Sequence, residues 1–166
     1  MDKKLIVLIS LFTIVVVVVG IIIVGSGGSR ATLEKTAGAK IAIDHDSRSV
    51  GDIPYEGGLL IHSFPIKNTG DKNLEIGNIA TSCMCTQAYL KKGDTESDLF
   101  GMKGMSGTSS WKGILKPGES AEIIAKFDPK FHGPQGTGPV SRSVSFETND
   151  LDKPYVEVAF DGVVVK

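Results

Sequence analysis

The chain of 166 residues holds only two cysteines, three histidines and one tryptophan, and each scarcity removes a class of protein. Two cysteines cannot build the disulfide framework of a small secreted domain, so what folds here must be held by an apolar core. Three histidines, His45, His62 and His132, are too few for a hydrolytic metal centre. No serine sits in a nucleophile-elbow pattern, no glycine-rich stretch leads from a strand into a helix, and no carboxylate pair is set apart by its neighbours. The expectation is therefore a protein that is not an enzyme. An excess of one charge is missing as well, with 18 basic residues against 19 acidic ones. Setting aside Asp2, Lys3 and Lys4 leaves 16 and 18, a balance that gives no reason to expect nucleic acid or an anionic surface as partner.

What the chain does have is a long apolar run at residues 5–24, without a charge and with Ser10 and Thr13 as its only polar side chains. At a rise of about 1.5 Å per residue it makes about 30 Å of helix, the thickness of a bilayer's hydrocarbon core. Lys3 and Lys4 lie against its start, whereas Arg30 stands several residues beyond its end with Glu34 close behind. The positive-inside tendency then places residues 1–4 in the cytoplasm and the rest outside, as a single-pass protein of the cytoplasmic membrane with the lipid bilayer as first partner. A cleaved signal peptide is the alternative, but its apolar region runs about 7–15 residues, shorter than this one. No lipobox cysteine follows. Residues 25–38, opening on Gly25-Ser26-Gly27-Gly28-Ser29, read as a flexible stalk.

Residues 39–166 change period. Ile41 and Ile43 suggest a first strand, and Arg48 to Gly58 reads as turns. Leu60, His62, Phe64 and Ile66 share one face of a second strand, where Pro65 argues for an edge or a bulge. Asn68-Thr69-Gly70-Asp71 then turns the chain, Gly70 being free to take positive φ. Strands follow around Leu74–Cys83, Gln87–Leu90, Ala121–Phe127, Val140–Phe146 and Val156–Val165, the last with a kink at Gly162. Arg142 falls in phase with the apolar positions of its strand, its stem buried and its head at the rim. Two long irregular segments stand out: Lys91 to Trp111, rich in Gly, Ser and Met, and Asp128 to Pro139. The expected fold is all-β, an immunoglobulin-like β-sandwich of about seven strands in two antiparallel sheets, preceded by one N-terminal transmembrane helix. A small open barrel is the structural alternative.

The turns and the cysteines form a series. His62-Ser63-Phe64-Pro65-Ile66-Lys67-Asn68-Thr69-Gly70, Leu74-Glu75-Ile76 and Ser82-Cys83-Met84-Cys85-Thr86 come in that order. Leu115-Lys116-Pro117-Gly118-Glu119-Ser120, Phe127-Asp128, Thr148-Asn149-Asp150 and Gly162 follow. This series resembles the bacterial proteins grouped as domain of unknown function 1573, over roughly residues 48–165. The resemblance implies an exported Ig-like domain, related to major-sperm-protein and Hydin-type modules, with no established activity. The motif usual there is Ser-Cys-Gly-Cys-Thr; here Met84 replaces the glycine, and the insertion after it is longer.

Cys83 and Cys85 are the one pair with chemistry in it. In an extended segment, side chains at i and i+2 point to the same side, so both sulfurs would serve one metal or one partner thiol. Thiolate and thioether are soft donors that favour Cu(I), and Met84, Met102, Met105 and His132 supply further donors if the two long loops meet. A zinc knuckle is not indicated, because its second ligand pair is missing. A disulfide across one residue would close a tight ring suited to exchange, although the helix N-terminus of thioredoxin-like sites is absent. The bland alternative is two buried fillers or a structural disulfide. Trp111 reads as an anchor that pins the long insertion to the domain. The functional expectation is a membrane-anchored extracytoplasmic interaction or scaffolding domain of the bacterial cell envelope, with an envelope protein as partner and no cofactor. Its alternative is a soft-metal (copper) or thiol-handling module built on Cys83 and Cys85.

Overall fold

The computed structural model describes residues 3–25, 30–106 and 109–166. Helix α1 spans Lys3–Gly25, and it is long and apolar enough to cross a membrane. Leu8 and Phe12 are among its exposed side chains. Residues 1–2 of the expected tail and residues 26–29 of the expected spacer lie outside the described residues.

Among the described residues, the remainder forms ten strands in two five-stranded sheets. The first sheet holds β1 (Ile41–Ile43), β3 (Leu60–Asn68), β8 (Ser120–Phe127), β5 (Thr86–Lys92) and β6 (Thr95–Glu96), in that spatial order. The second holds β2 (Ser47–Pro54), β10 (Tyr155–Val165), β9 (Gly138–Thr148), β4 (Leu74–Thr81) and β7 (Lys112–Leu115). Alternation decides which side chains go inward. Phe64 and Ile66 of β3, Ile123 and Phe127 of β8, Val144 and Phe146 of β9, and Val158 and Phe160 of β10 join one core shared by both sheets. Phe64, Phe146 and Phe160 are each at most 1% exposed, and burying a side chain of this size stabilises by about 1.5–3 kcal/mol.

Several expectations need correction. Arg48 to Gly58, read as turns, overlaps β2, which pairs in parallel with β10, so the second sheet is mixed rather than antiparallel. Only Ile53 of β2 is buried, so an edge strand open to water on both faces lacks the alternation that marks a strand. Strand β7 was hidden for another reason: its burial alternates, but over only four residues and with Gly113 inward and Ile114 outward, so its hydropathy shows no period. Pro65 does sit at an effective edge, one residue past the last β1 partner, Ile43 opposite Ile66. Gly70 does not adopt positive φ; it is required because a Cβ there would collide with the carbonyl oxygen of Gly38. The kink at Gly162 is present, as a register shift between Asp161 and Val163.

Residues 30–38, expected in the stalk, dock on the domain. Ala31 N–H donates to Ser109 O (3.1 Å) and Asn78 Oδ1 (3.1 Å), Arg30 pairs with Glu147, and Thr36 N–H donates to Asn149 O (2.9 Å). Asn78 makes this possible by standing at positive φ (53°) where the β4–β9 register shifts, which turns its amide toward the incoming chain.

Candidate functional site

Strand β4 ends at Thr81 and β5 begins at Thr86, so residues 82–85 are the crossing between the two sheets. They form a tight turn and not an extended segment: Thr86 N–H donates to Cys83 O (3.1 Å), and the Thr81 hydroxyl lies 3.0 Å from Cys83 O and 2.9 Å from Thr86 O. The expected i, i+2 pleat is therefore replaced by a turn that brings the two Cα atoms to 5.2 Å, and Cys83 and Cys85 are joined as a disulfide.

The two sulfurs have different surroundings. Cys85 is 3% exposed and belongs to the shared core, whereas Cys83 is half-buried at its margin. Arg142 Nε lies 3.0 Å from Cys85 Sγ, and its guanidinium carbon lies 5.5 Å from the centre of the Phe127 ring. Its position is fixed by the neighbouring Ser143: Ser82 N–H donates to Ser143 O (3.0 Å) and Ser143 N–H donates to the Ser82 hydroxyl (2.9 Å), which sets Arg142 beside the turn. Burial lowers the guanidinium's pKa from its ordinary value, but it stays charged. Across the turn, His132 Nε2 lies 3.5 Å from Cys83 Sγ. The loop after β8 holds that imidazole in place. Asp128 N–H donates to Cys85 O (2.9 Å), and the Phe131 ring meets His132 edge-on at 5.1 Å. Gly136 leaves room for it, since a Cβ there would come within 2.8 Å of His132 Cβ.

Donor atoms of Cys83, Cys85 and His132 thus lie within 4.8 Å of one another. The 128–139 loop thus meets the cysteine turn, as the expectation of a Cys–His cluster required, but the 91–111 insertion with its methionines does not join them. Met84, between the cysteines, is 47% exposed on the surface of the same turn. Met102 instead pairs with Thr81 through backbone and lines a separate cleft of about 360 Å³, together with Arg30, Asn78, Phe100 and Glu147. Met105 stands 66% exposed on the turn beside it. Trp111 packs on Phe100 with ring centres 5.3 Å apart and borders the core, where it holds the end of the insertion. Sequence reasoning missed Arg142 as a site residue, although a cation in phase with an apolar strand face was the signal.

Fold and site together define a two-sheet β domain of the Ig-like kind with a Cys-x-Cys turn at one end. Residues 41–98 match the family model described as protein of unknown function (DUF1573), so the chain carries a DUF1573 domain. The match takes in the Asn68 turn and the Cys83–Cys85 turn. No curated protein matches the sequence. Among solved structures, a protein of unknown function from Porphyromonas gingivalis W83 is similar at a TM-score of 0.56 and 17% identity, covering 80% of this chain and 50% of that one. The chain therefore spans about half the length of that protein. The ASH/PapD-like domain 7 of human CEP192 aligns at 0.45 and 16%, covering 83% and 95%. The secreted serine protease VesC from Vibrio cholerae aligns at 0.46 and 12%, covering 79% and 24%. At these identities the first likeness bears on the fold alone, and the other two carry no argument.

Proposed function

We propose that this is a membrane-tethered Ig-like β-sandwich, N-terminus in the cytoplasm and domain outside, that exchanges its Cys83–Cys85 disulfide with the dithiol of another envelope protein. The observation that carries the reading is the asymmetry of the pair: an exposed-side sulfur beside an imidazole, and a buried sulfur beside a guanidinium. Exchange runs by attack of a thiolate on one sulfur and departure of the other, and it is fastest when the leaving thiolate is stabilised. The partner's thiolate attacks Cys83 Sγ, the accessible end. The Cys83–Cys85 bond breaks, and its electron pair leaves on Cys85 Sγ, where the Arg142 N–H holds the new charge. A second partner thiolate then attacks its own sulfur in the mixed disulfide, and Cys83 departs with a proton available from His132. The partner ends with a disulfide, this chain with two thiols, and the two-electron balance closes. Nothing in this cycle requires a hydrolytic centre or a resident cofactor. A purely scaffolding role is the weaker reading, because it asks for two inert buried sulfurs with His132 remote from them.

Regiochemistry tests it. With the full chain in detergent micelles, Cys85→Ser leaves Cys83 alone and should form a mixed disulfide with oxidised glutathione, whereas Cys83→Ser should leave Cys85 nearly unreactive. In the wild-type chain, Arg142→Gln should slow reduction by dithiothreitol about tenfold, the loss of one hydrogen bond to a charged group. Equal labelling of both single-cysteine variants, with an unchanged rate in Arg142→Gln, would sink the proposal.

A further inference from the structure

The same three side chains carry a second chemistry once the disulfide is open. We infer that the reduced Cys83–Cys85 pair with His132 is a three-coordinate site for a soft monovalent cation, Cu(I), closed whenever the disulfide forms. Bonds of about 2.3 Å to sulfur and about 2.0 Å to an imidazole nitrogen, spread in a trigonal plane, put sulfur and nitrogen about 3.7 Å apart. Cys83 Sγ and His132 Nε2 already stand at 3.5 Å, so one edge of the triangle is built. The other edges need only the two sulfurs to part, which breaking their bond allows, and the Cys83–Cys85 turn keeps both on the same side of the loop.

Charge selects the ion. Two thiolates and a monovalent cation leave one negative charge, which the Arg142 guanidinium at Cys85 Sγ cancels. A divalent ion in the same place would neutralise both thiolates and leave the charge of the half-buried arginine uncompensated, an unfavourable arrangement. Softness points the same way, since thiolates select Cu(I) over harder cations, and a tetrahedral zinc site would lack its fourth protein ligand. The gate rests on the exchange reading: a partner dithiol gives two electrons to the disulfide and becomes a disulfide itself. The metal site does not, because any reductant of the pair would open it. Cu(I) then binds without changing its own oxidation state.

The test is an anaerobic titration of the full chain in detergent micelles against a chromophoric Cu(I) chelator, on protein kept oxidised and on protein reduced with a phosphine. The expected result is one Cu(I) per reduced chain, none above background in the oxidised chain, at least 100-fold weaker Zn(II), and about tenfold weaker Cu(I) in His132→Gln. Uptake by the reduced chain no greater than by the oxidised chain, or Zn(II) held as tightly as Cu(I), would overturn it. Because oxidised and reduced wild type are compared directly, the result does not depend on a cysteine variant folding. If dithiothreitol fails to react selectively at Cys83 while the phosphine-reduced chain still takes Cu(I), the exchange reading falls and the metal site stands.

Discussion

At the end of the domain away from the cysteines, Asn68, Thr148, Asn149 and Asp150 are each at most 2% exposed, and each one is spent on backbone. Asn68 Nδ2 donates to Lys72 O (2.8 Å) and Leu115 O (2.9 Å), and Asn149 Oδ1 accepts from Glu75 N–H (2.8 Å). Asp150 accepts from the N–H groups of Ile41 and Asp152, both at 2.9 Å. At the other end, polar and sulfur groups are just as deliberately placed, but one sulfur and an imidazole face outward. Both ends carry a motif that the resemblance to DUF1573 picks out, and they use it differently. Saturated hydrogen bonds make a lock with no capacity left for a ligand. A half-exposed member turns the same kind of buried cluster into a reactive site.

The sharpest way to break this comparison is to damage the lock and look at the reactive end. Asp150→Ala strands the buried Ile41 N–H and the part-buried Asp152 N–H and should cost about 3 kcal/mol of stability, read by denaturant titration of Trp111 fluorescence in micelles. The dithiothreitol rate at Cys83 should not change. If it falls in step with stability, the two ends are one unit and the contrast is false. Acid gives a second handle on the same group. Burial pushes the Asp150 carboxyl up, but the Ile41 and Asp152 N–H groups and the Lys40 ammonium outweigh it and hold the pKa below its ordinary value. The contribution is then complete above an unfolded value of about 3.9 and is lost as pH falls through the lower folded one.

How much of this was readable in advance follows from the same physics. Strands β3, β8, β9 and β10 bury one face, so period two showed them; β2 was hidden because it is open to water on both faces, and β7 because its four residues turn a glycine inward and Ile114 outward. The Asn68 and Thr148–Asp150 turns were visible from residue type alone, although Gly70 proved to be needed for close approach and not for φ. At the site, sulfur and imidazole advertise their chemistry, and Cys83, Cys85 and His132 do converge. Composition could not say which wall a loop faces, so Met102 was grouped with them and lies in the cleft beside Arg30. Arg142 was overlooked because its partner is a cysteine 57 residues away in the turn after β4, which only the β4–β9 pairing brings near.

A milder test asks whether the cysteine turn is also held by buried polar groups. Thr81 is 3% exposed, and its hydroxyl serves the carbonyls on both sides of the turn. Thr81→Val keeps the shape and removes that donor, so it should cost about 1 kcal/mol in the same denaturant assay. A cost equal to that of Asp150→Ala would mean that the reactive end is locked as firmly as the other.

Between the ends lies a third case, a polar group that is covered and unsatisfied. His62 Nε2 is buried with no hydrogen-bond partner, its ring against Phe64 at 4.7 Å and Phe160 at 6.1 Å. His45 stands 5.8 Å away with its Nδ1 on the Asp44 carboxylate, and Arg48 is the other nearby charge. Burial, then His45 and Arg48, lower the His62 pKa below its ordinary value. Protons therefore bind the unfolded chain more readily than the folded one, and stability rises with pH across this window. The His62 contribution is complete above an unfolded value of about 6.5 and is lost as pH falls through the lower folded value. This window lies above the one in which Asp150 titrates, so the two read out separately. Wild type should lose stability between pH 7 and pH 5, and His62→Phe should flatten that loss without touching the one below pH 4. A wild-type profile level from pH 7 to pH 5 would show that the imidazole finds water after all, and that the unsatisfied nitrogen is no weak point in the fold.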